Sequence, residues 1–128
     1  MKVSVIGGTG PQGLGIAERL AIAGVDVIVG SRKEEKALEV VAKAKEDLAD
    51  YDLNMTGMAN EDAAKAGDVL ILTVPLAAQK PTVEGIKEFC TDKIVMDATV
   101  PSIFFEVMMI SFIRSLIISF SKIQDTSK

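Results

Sequence analysis

Val3-Ser4-Val5-Ile6-Gly7-Gly8-Thr9-Gly10-Pro11-Gln12-Gly13-Leu14-Gly15 is the stretch that decides the fold. A short apolar run, Val3 to Ile6, leads into a glycine-rich turn, and a helical pattern from Leu14 to Ala23 follows at once. Gly8-Thr9-Gly10-Pro11-Gln12-Gly13 fits G-x-G-x-x-G in the strand, turn and helix setting that a dinucleotide-binding fingerprint requires. Gly8 is expected to allow a backbone turn that a Cβ would hinder. Gly10 would let the main chain approach a pyrophosphate, and Gly13 would let the helix pack close to the strand. Pro11 suits the first helical turn, where its missing N–H is not needed. Free N–H groups at the helix start and the macrodipole favour a bound phosphate. The competing reading is a glycine-rich turn with no ligand, and the flanking strand and helix count against it.

Outward from this stretch, strands and helices alternate. Lys2 to Ile6 reads as a strand apolar on both faces, as a central parallel strand should be. Pro11 to Ala23 reads as a helix, with Leu14, Ala17, Leu20 and Ala21 at helical spacing and Gly24 as its stop. Val25 to Val29 is the second strand, and Glu34 to Leu48 the second helix, with a stripe of Ala37, Val40, Val41, Ala44 and Leu48. Leu53 to Met58 reads as a third strand. Asn60 is expected to cap a short helix over Glu61 to Ala66. Asp68 to Val74 is a buried strand ended by Pro75. Gln79 to Phe89 reads as a helix with Pro81 in its first turn, and Lys93 to Ala98 as a fifth strand. The alternation predicts right-handed crossovers and a Rossmann-like, doubly wound parallel sheet of three layers, strand order 3-2-1-4-5.

In such folds the residue ending the second strand meets the adenosine ribose, and an acidic residue there selects NAD. Here the strand tip carries Ser31, Arg32 and Lys33, with Lys36 one helical turn on, and no carboxylate. Arg32 can bond phosphate and stack on adenine, Ser31 can donate a hydroxyl, and Lys36 adds a point charge. The cluster predicts preference for NADP; the alternative is a solvated helix face.

Composition narrows the classes. The 128 residues suffice for one domain with a real core. A net charge of −4 with no basic run argues against a nucleic-acid partner. With no histidine, imidazole metal sites and Ser-His or Cys-His nucleophiles are excluded within the chain, and no metal site is expected. The lone Cys90 cannot form an internal disulfide, which fits a reducing, cytoplasmic setting. The first strand begins almost at Met1, so no signal peptide is expected.

Gly7 to Gly13, Gly30-Ser31-Arg32, Thr56-Gly57-Met58 with Asn60 to Ala64, and Leu72-Thr73-Val74-Pro75 together resemble the NADPH-dependent reductases of coenzyme F420, a deazaflavin. The resemblance covers roughly residues 1–101 and is far more specific than the glycine motif alone. It implies hydride transfer between NADP(H) and coenzyme F420. It implies that Thr9, Gly10, Pro11 and Gln12 line the pyrophosphate and that Ser31, Arg32 and Lys36 hold the 2′-phosphate. Val74 and Pro75 would border the ribose and nicotinamide, and Val100 and Pro101 would lie near the nicotinamide ring. Such chemistry needs two stacked rings and a dry cleft, so no catalytic acid or base is assigned.

After Pro101 the resemblance stops. Residues 102–128 shift to Ile, Phe, Met, Ser and Lys, where the family continues into a smaller second domain. Three readings stay open: an amphipathic helix capping a sheet face, a membrane-associated segment, or sequence foreign to the family. Glu106 and Arg114 lie inside the apolar run, each costing about 2.5–3.5 kcal/mol at a bilayer centre, which counts against the membrane. An exposed apolar tail predicts association, through a homodimer or aggregation. The alternatives to an F420 reductase are another NADP-dependent reductase of similar fold, and a non-catalytic NADP-binding module or redox sensor; the fold alone separates none of them.

Overall fold

The structure, a computed structural model, describes residues 1–98. Five strands form one parallel sheet: β1 (Lys2–Ile6), β2 (Asp26–Ser31), β3 (Met55–Ala59), β4 (Val69–Leu72) and β5 (Ile94–Asp97), in the order β3-β2-β1-β4-β5. Four α-helices connect them: α1 (Pro11–Ile22), α2 (Glu34–Asp47), α3 (Asn60–Ala66) and α4 (Leu76–Ile86), the last running into a 3₁₀ turn at Lys87–Phe89. The strand order is the one the alternating pattern predicts, and β1 at the centre pairs with both β2 and β4.

Alternate residues of β1 feed two cores. Val3 and Val5 pack with Ile16, Ala17 and Leu20 of α1, and with Val41 and Ala44 of α2. Ile6 points the other way, to Ala63 and Ala64 of α3 and Ile86 of α4. This is the three-layer arrangement of a doubly wound sheet. Burying each large aliphatic side chain contributes roughly 1.5–3 kcal/mol. Ser4 interrupts the apolar run without cost, because its buried hydroxyl donates to the Ala63 carbonyl at 2.6 Å.

Several boundaries differ from the sequence reading, each for a local reason. β2 extends to Ser31 because Gly30 and Ser31 pair with Met58 and Ala59. α4 begins at Leu76, so Pro81 lies inside the helix and not in its first turn. Pro81 is exposed, so the hydrogen bond its ring removes is on a face that water reaches. On α1 the buried stripe is Ile16, Ala17, Leu20 and Ala21, and Leu14 is half-buried. Gly24, at φ +90°, does stop α1. Its N–H donates to Ala21 and that of Val25 to Leu20, which closes the helix end in a Schellman motif. The readings of residues 102–128, the predicted dimer among them, fall outside the described residues. Among those described, no helix is long and apolar enough to cross a membrane.

Glu18 sits half-buried on α1. Burial pushes its carboxyl above the usual value, Asp47 on α2 adds to the rise, and Arg19 opposes it. A raised carboxyl binds its proton more tightly folded than unfolded, so the ionised form costs stability above the folded value. Replacing Glu18→Gln should therefore raise Tm at pH 7 by roughly 1–2 °C. The difference should vanish as pH falls well below the ordinary glutamate value of about 4.3, where the carboxyl is neutral in both states. Equal melting at pH 7 would contradict this.

Candidate functional site

The chain leaves β1 through the glycine turn and re-enters regular structure at Pro11. The left-handed residue of the turn is Gly7, at φ +74°. A Cβ on Gly8 would instead lie 2.9 Å from the Val5 carbonyl, so Gly8 is fixed by close packing. Its N–H donates to the Gly30 carbonyl at 2.9 Å, which carries the β1–β2 pairing into the turn. A Cβ on Gly10 would meet no heavy atom within 4 Å, so the main chain there is open to a ligand. A Cβ on Gly13 would stand 2.5 Å from Thr73 Oγ1 and 2.7 Å from the Gly8 Cα. The start of α1 therefore reaches the sheet only because position 13 has no side chain, as the spacing predicts. Gly10 occupies the cap position of α1 and no side chain caps the helix, so its first turn is left for water or an anion.

The second side of the site is the end of β2. Ser31 is buried, and its Oγ accepts the Lys33 N–H at 3.3 Å, turning the chain into α2. Arg32, Lys33 and Lys36 are exposed. Lys36 reaches Glu39 at 3.7 Å, an exposed pair worth little in water. Among the described residues Arg32 has no carboxylate partner. The third side is the end of β4, where Val74 packs so tightly that a Cβ on Gly7 would lie 2.5 Å from its Cγ1.

These three sides enclose one cleft of about 1230 Å³ above the carboxyl ends of β1, β2 and β4. Thr9, Gly10, Pro11, Gln12 and Gly13 line one wall, Ser31, Arg32 and Lys36 another, and Val74 and Pro75 a third. Gly8 lies beneath the turn and does not line the cleft. Val100 and Pro101, expected near the nicotinamide ring, lie outside the described residues.

Sequence reasoning missed two residues. Asn60, expected to cap α3, makes no capping bond. Its Oδ1 accepts the Gly7 N–H at 3.1 Å, and the side chain lines the cleft. Thr73, expected inside a strand, follows β4. Its hydroxyl donates to the Ile6 carbonyl at 3.0 Å, and it forms the floor against which Gly13 packs. The signal for Thr73 was a hydroxyl two residues before Pro75, at the end of the apolar run; for Asn60 no local signal exists. Ala78 and Thr82 of α4 complete the lining.

The sequence pattern of the family described as NADP oxidoreductase, coenzyme F420-dependent, matches residues 2–101. The F420-dependent NADP reductase of Methanothermobacter thermautotrophicus is 50% identical over 101 residues, covering 79% of this chain and 44% of that protein. The F420-dependent NADP reductase of Methanocaldococcus jannaschii is 46% identical over 103 residues, covering 79% and 46%. Among solved structures, a lactate dehydrogenase from Cryptosporidium parvum superposes with a TM-score of 0.63 at 20% identity, covering 78% of this chain and 37% of that one. That likeness shows the three-layer Rossmann-like fold alone. The chain spans about half the length of the relatives it matches. Its match across residues 2–101 and its identity to these reductases mean that the chain belongs to the coenzyme F420-dependent NADP oxidoreductase family.

Proposed function

We propose that the cleft binds NADP(H) and that the protein takes part in hydride transfer between NADP(H) and coenzyme F420. One observation carries the cofactor choice: β2 ends at Ser31 and is followed by Arg32 and Lys33, with Lys36 nearby and no carboxylate at the tip. A carboxylate there would bond a ribose 2′-hydroxyl and repel a 2′-phosphate, whereas a guanidinium and an ammonium attract one. The pyrophosphate fits over Thr9 to Gly13, where Gly10 is open and α1 is uncapped. Gly8 supports that turn from below. Val74 and Pro75 present an apolar wall toward the ribose and nicotinamide end, which suits exclusion of water.

The bound nicotinamide supplies the hydride-accepting or hydride-donating carbon, so the protein's own task is orientation. Arg32 and Lys36 fix the adenosine end and the glycine turn fixes the middle. The ring end is then held against β4 at a defined distance from the partner ring. No proton transfer by a side chain is required, in keeping with a chain that lacks histidine. On this reading residues 1–101 form the nucleotide-binding unit and residues 102–128 a separate segment through which copies associate. Val100 borders the nicotinamide, and the protein works in the cytoplasm.

The direct test is loss of F420 absorbance when purified protein meets oxidised F420 and NADPH, with NADH alongside. Bleaching with NADPH and not with NADH is expected; equal rates would overturn the cofactor choice. No bleaching by folded, NADPH-binding protein would overturn the role in hydride transfer. Replacing Arg32→Ala should weaken NADP+ about tenfold or more and NAD+ far less, because only NADP+ carries the lost charge-assisted contact. Unchanged NADP+ affinity in a calorimetric titration would remove Arg32 from the site.

A further inference from the structure

The Asn60 side chain reaches out of its own helix to the glycine turn, 53 residues away in sequence. Its path is made possible by Gly30, where a Cβ would stand 2.7 Å from Asn60 Oδ1 and 3.2 Å from the Ala63 Cβ. The carboxamide thus passes through space that any other residue at position 30 would fill. At its end it accepts the N–H of Gly7, the left-handed residue of the turn. The next N–H, of Gly8, donates to the carbonyl of Gly30 itself. Two successive turn amides are therefore held, one by Asn60 of α3 and one by Gly30 of β2.

We propose that Asn60 is a positioning residue for the cofactor: it clamps the Gly7 amide and so sets the path by which Thr9 and Gly10 reach the pyrophosphate. The inference rests on the NADP reading above. Removing the carboxamide leaves a backbone N–H without its acceptor, and a turn whose left-handed residue is untethered can relax away from the bound shape. Preorganisation of this kind acts on the ligand groups the turn touches and not on those held elsewhere. The 2′-phosphate end, bonded through Arg32 and Lys36, should be insensitive to it.

The test titrates the 128-residue chain with NADP+ and, separately, with adenosine 2′-phosphate, which has no pyrophosphate. Asn60→Ala should weaken NADP+ about tenfold and change adenosine 2′-phosphate by less than about twofold. Gly30→Ala reaches the same clamp from the opposite side by displacing the carboxamide, and should show the same selectivity. In the Asn60→Ala background the added Cβ no longer meets Oδ1, so Gly30→Ala should then cost less than it does alone. Equal losses for both ligands, unchanged NADP+ affinity in Asn60→Ala, or strictly additive effects would each overturn the clamp. Failure of the unmodified chain to bind NADP+ would contradict the function proposed above, and this inference with it.

Discussion

The close approach of α1 to the sheet, at Gly13 against Thr73 and Gly8, is the constraint from which the rest of the molecule follows. A helix can begin there only if three backbone segments meet without side chains between them. The chain meets that demand with glycine at positions 7, 8 and 13, and with a threonine whose hydroxyl is turned back onto the Ile6 carbonyl. Once α1 is seated, its buried stripe covers β1 and β2 and fixes one face of the sheet. The open main chain at Gly10 then falls above the sheet's carboxyl edge, where the connections after β1 and after β4 leave in opposite directions. In doubly wound sheets that switch point is where ligands bind.

The two cores divide the work unequally. The α1 and α2 face is filled mainly by valine, isoleucine and leucine, with Ala17, Ala21 and Ala44 where the helices lie close, and sets the frame. The α3 and α4 face uses Ala63 and Ala64 against the sheet, which lets the short helix α3 lie close over β1 and β2. That closeness brings Asn60 within reach of the turn and allows Ser4 to bond the Ala63 carbonyl. Small residues in this layer therefore serve the site as well as the packing. At β3 the same logic appears at Gly57, where a Cβ would lie 2.7 Å from the Ala37 backbone of α2.

The fold was legible because its signals are local. Apolar runs bounded by glycine, the helical stripe of α2, and the strand, turn and helix around Gly8 to Gly13 all sit within a few residues of one another. Strand order followed from the doubly wound fold type that the glycine fingerprint marks. The cleft residues at the ends of β1, β2 and β4 were legible for the same reason, since their place is fixed by the ends of strands. What escaped was non-local or competitive. Asn60 looks like a helix cap, because its type and position suit one, and only the tertiary approach to Gly7 diverts it. The need for glycine at position 7 is likewise non-local: besides its left-handed φ, a Cβ there would stand 2.5 Å from Val74 Cγ1. Pro81 looks like a helix start until Leu76, Ala77 and Ala78 extend the helix ahead of it.

The central claim is that one cleft holds the 2′-phosphate of NADP(H) at the end of β2 and the pyrophosphate at the start of α1. The attraction at β2 comes from Arg32 and Lys36, moderated by Glu39 beside Lys36. The attraction at α1 comes from backbone donors and the helix dipole, which sequence changes outside the glycines barely alter. A crystal structure of the 128-residue chain with NADP+ tests this most directly. The account predicts electron density for the pyrophosphate over Thr9 to Gly13 and for the 2′-phosphate within hydrogen-bond distance of Arg32. A dinucleotide bound with its 2′-phosphate turned to solvent, or bound away from the glycine turn, would contradict it.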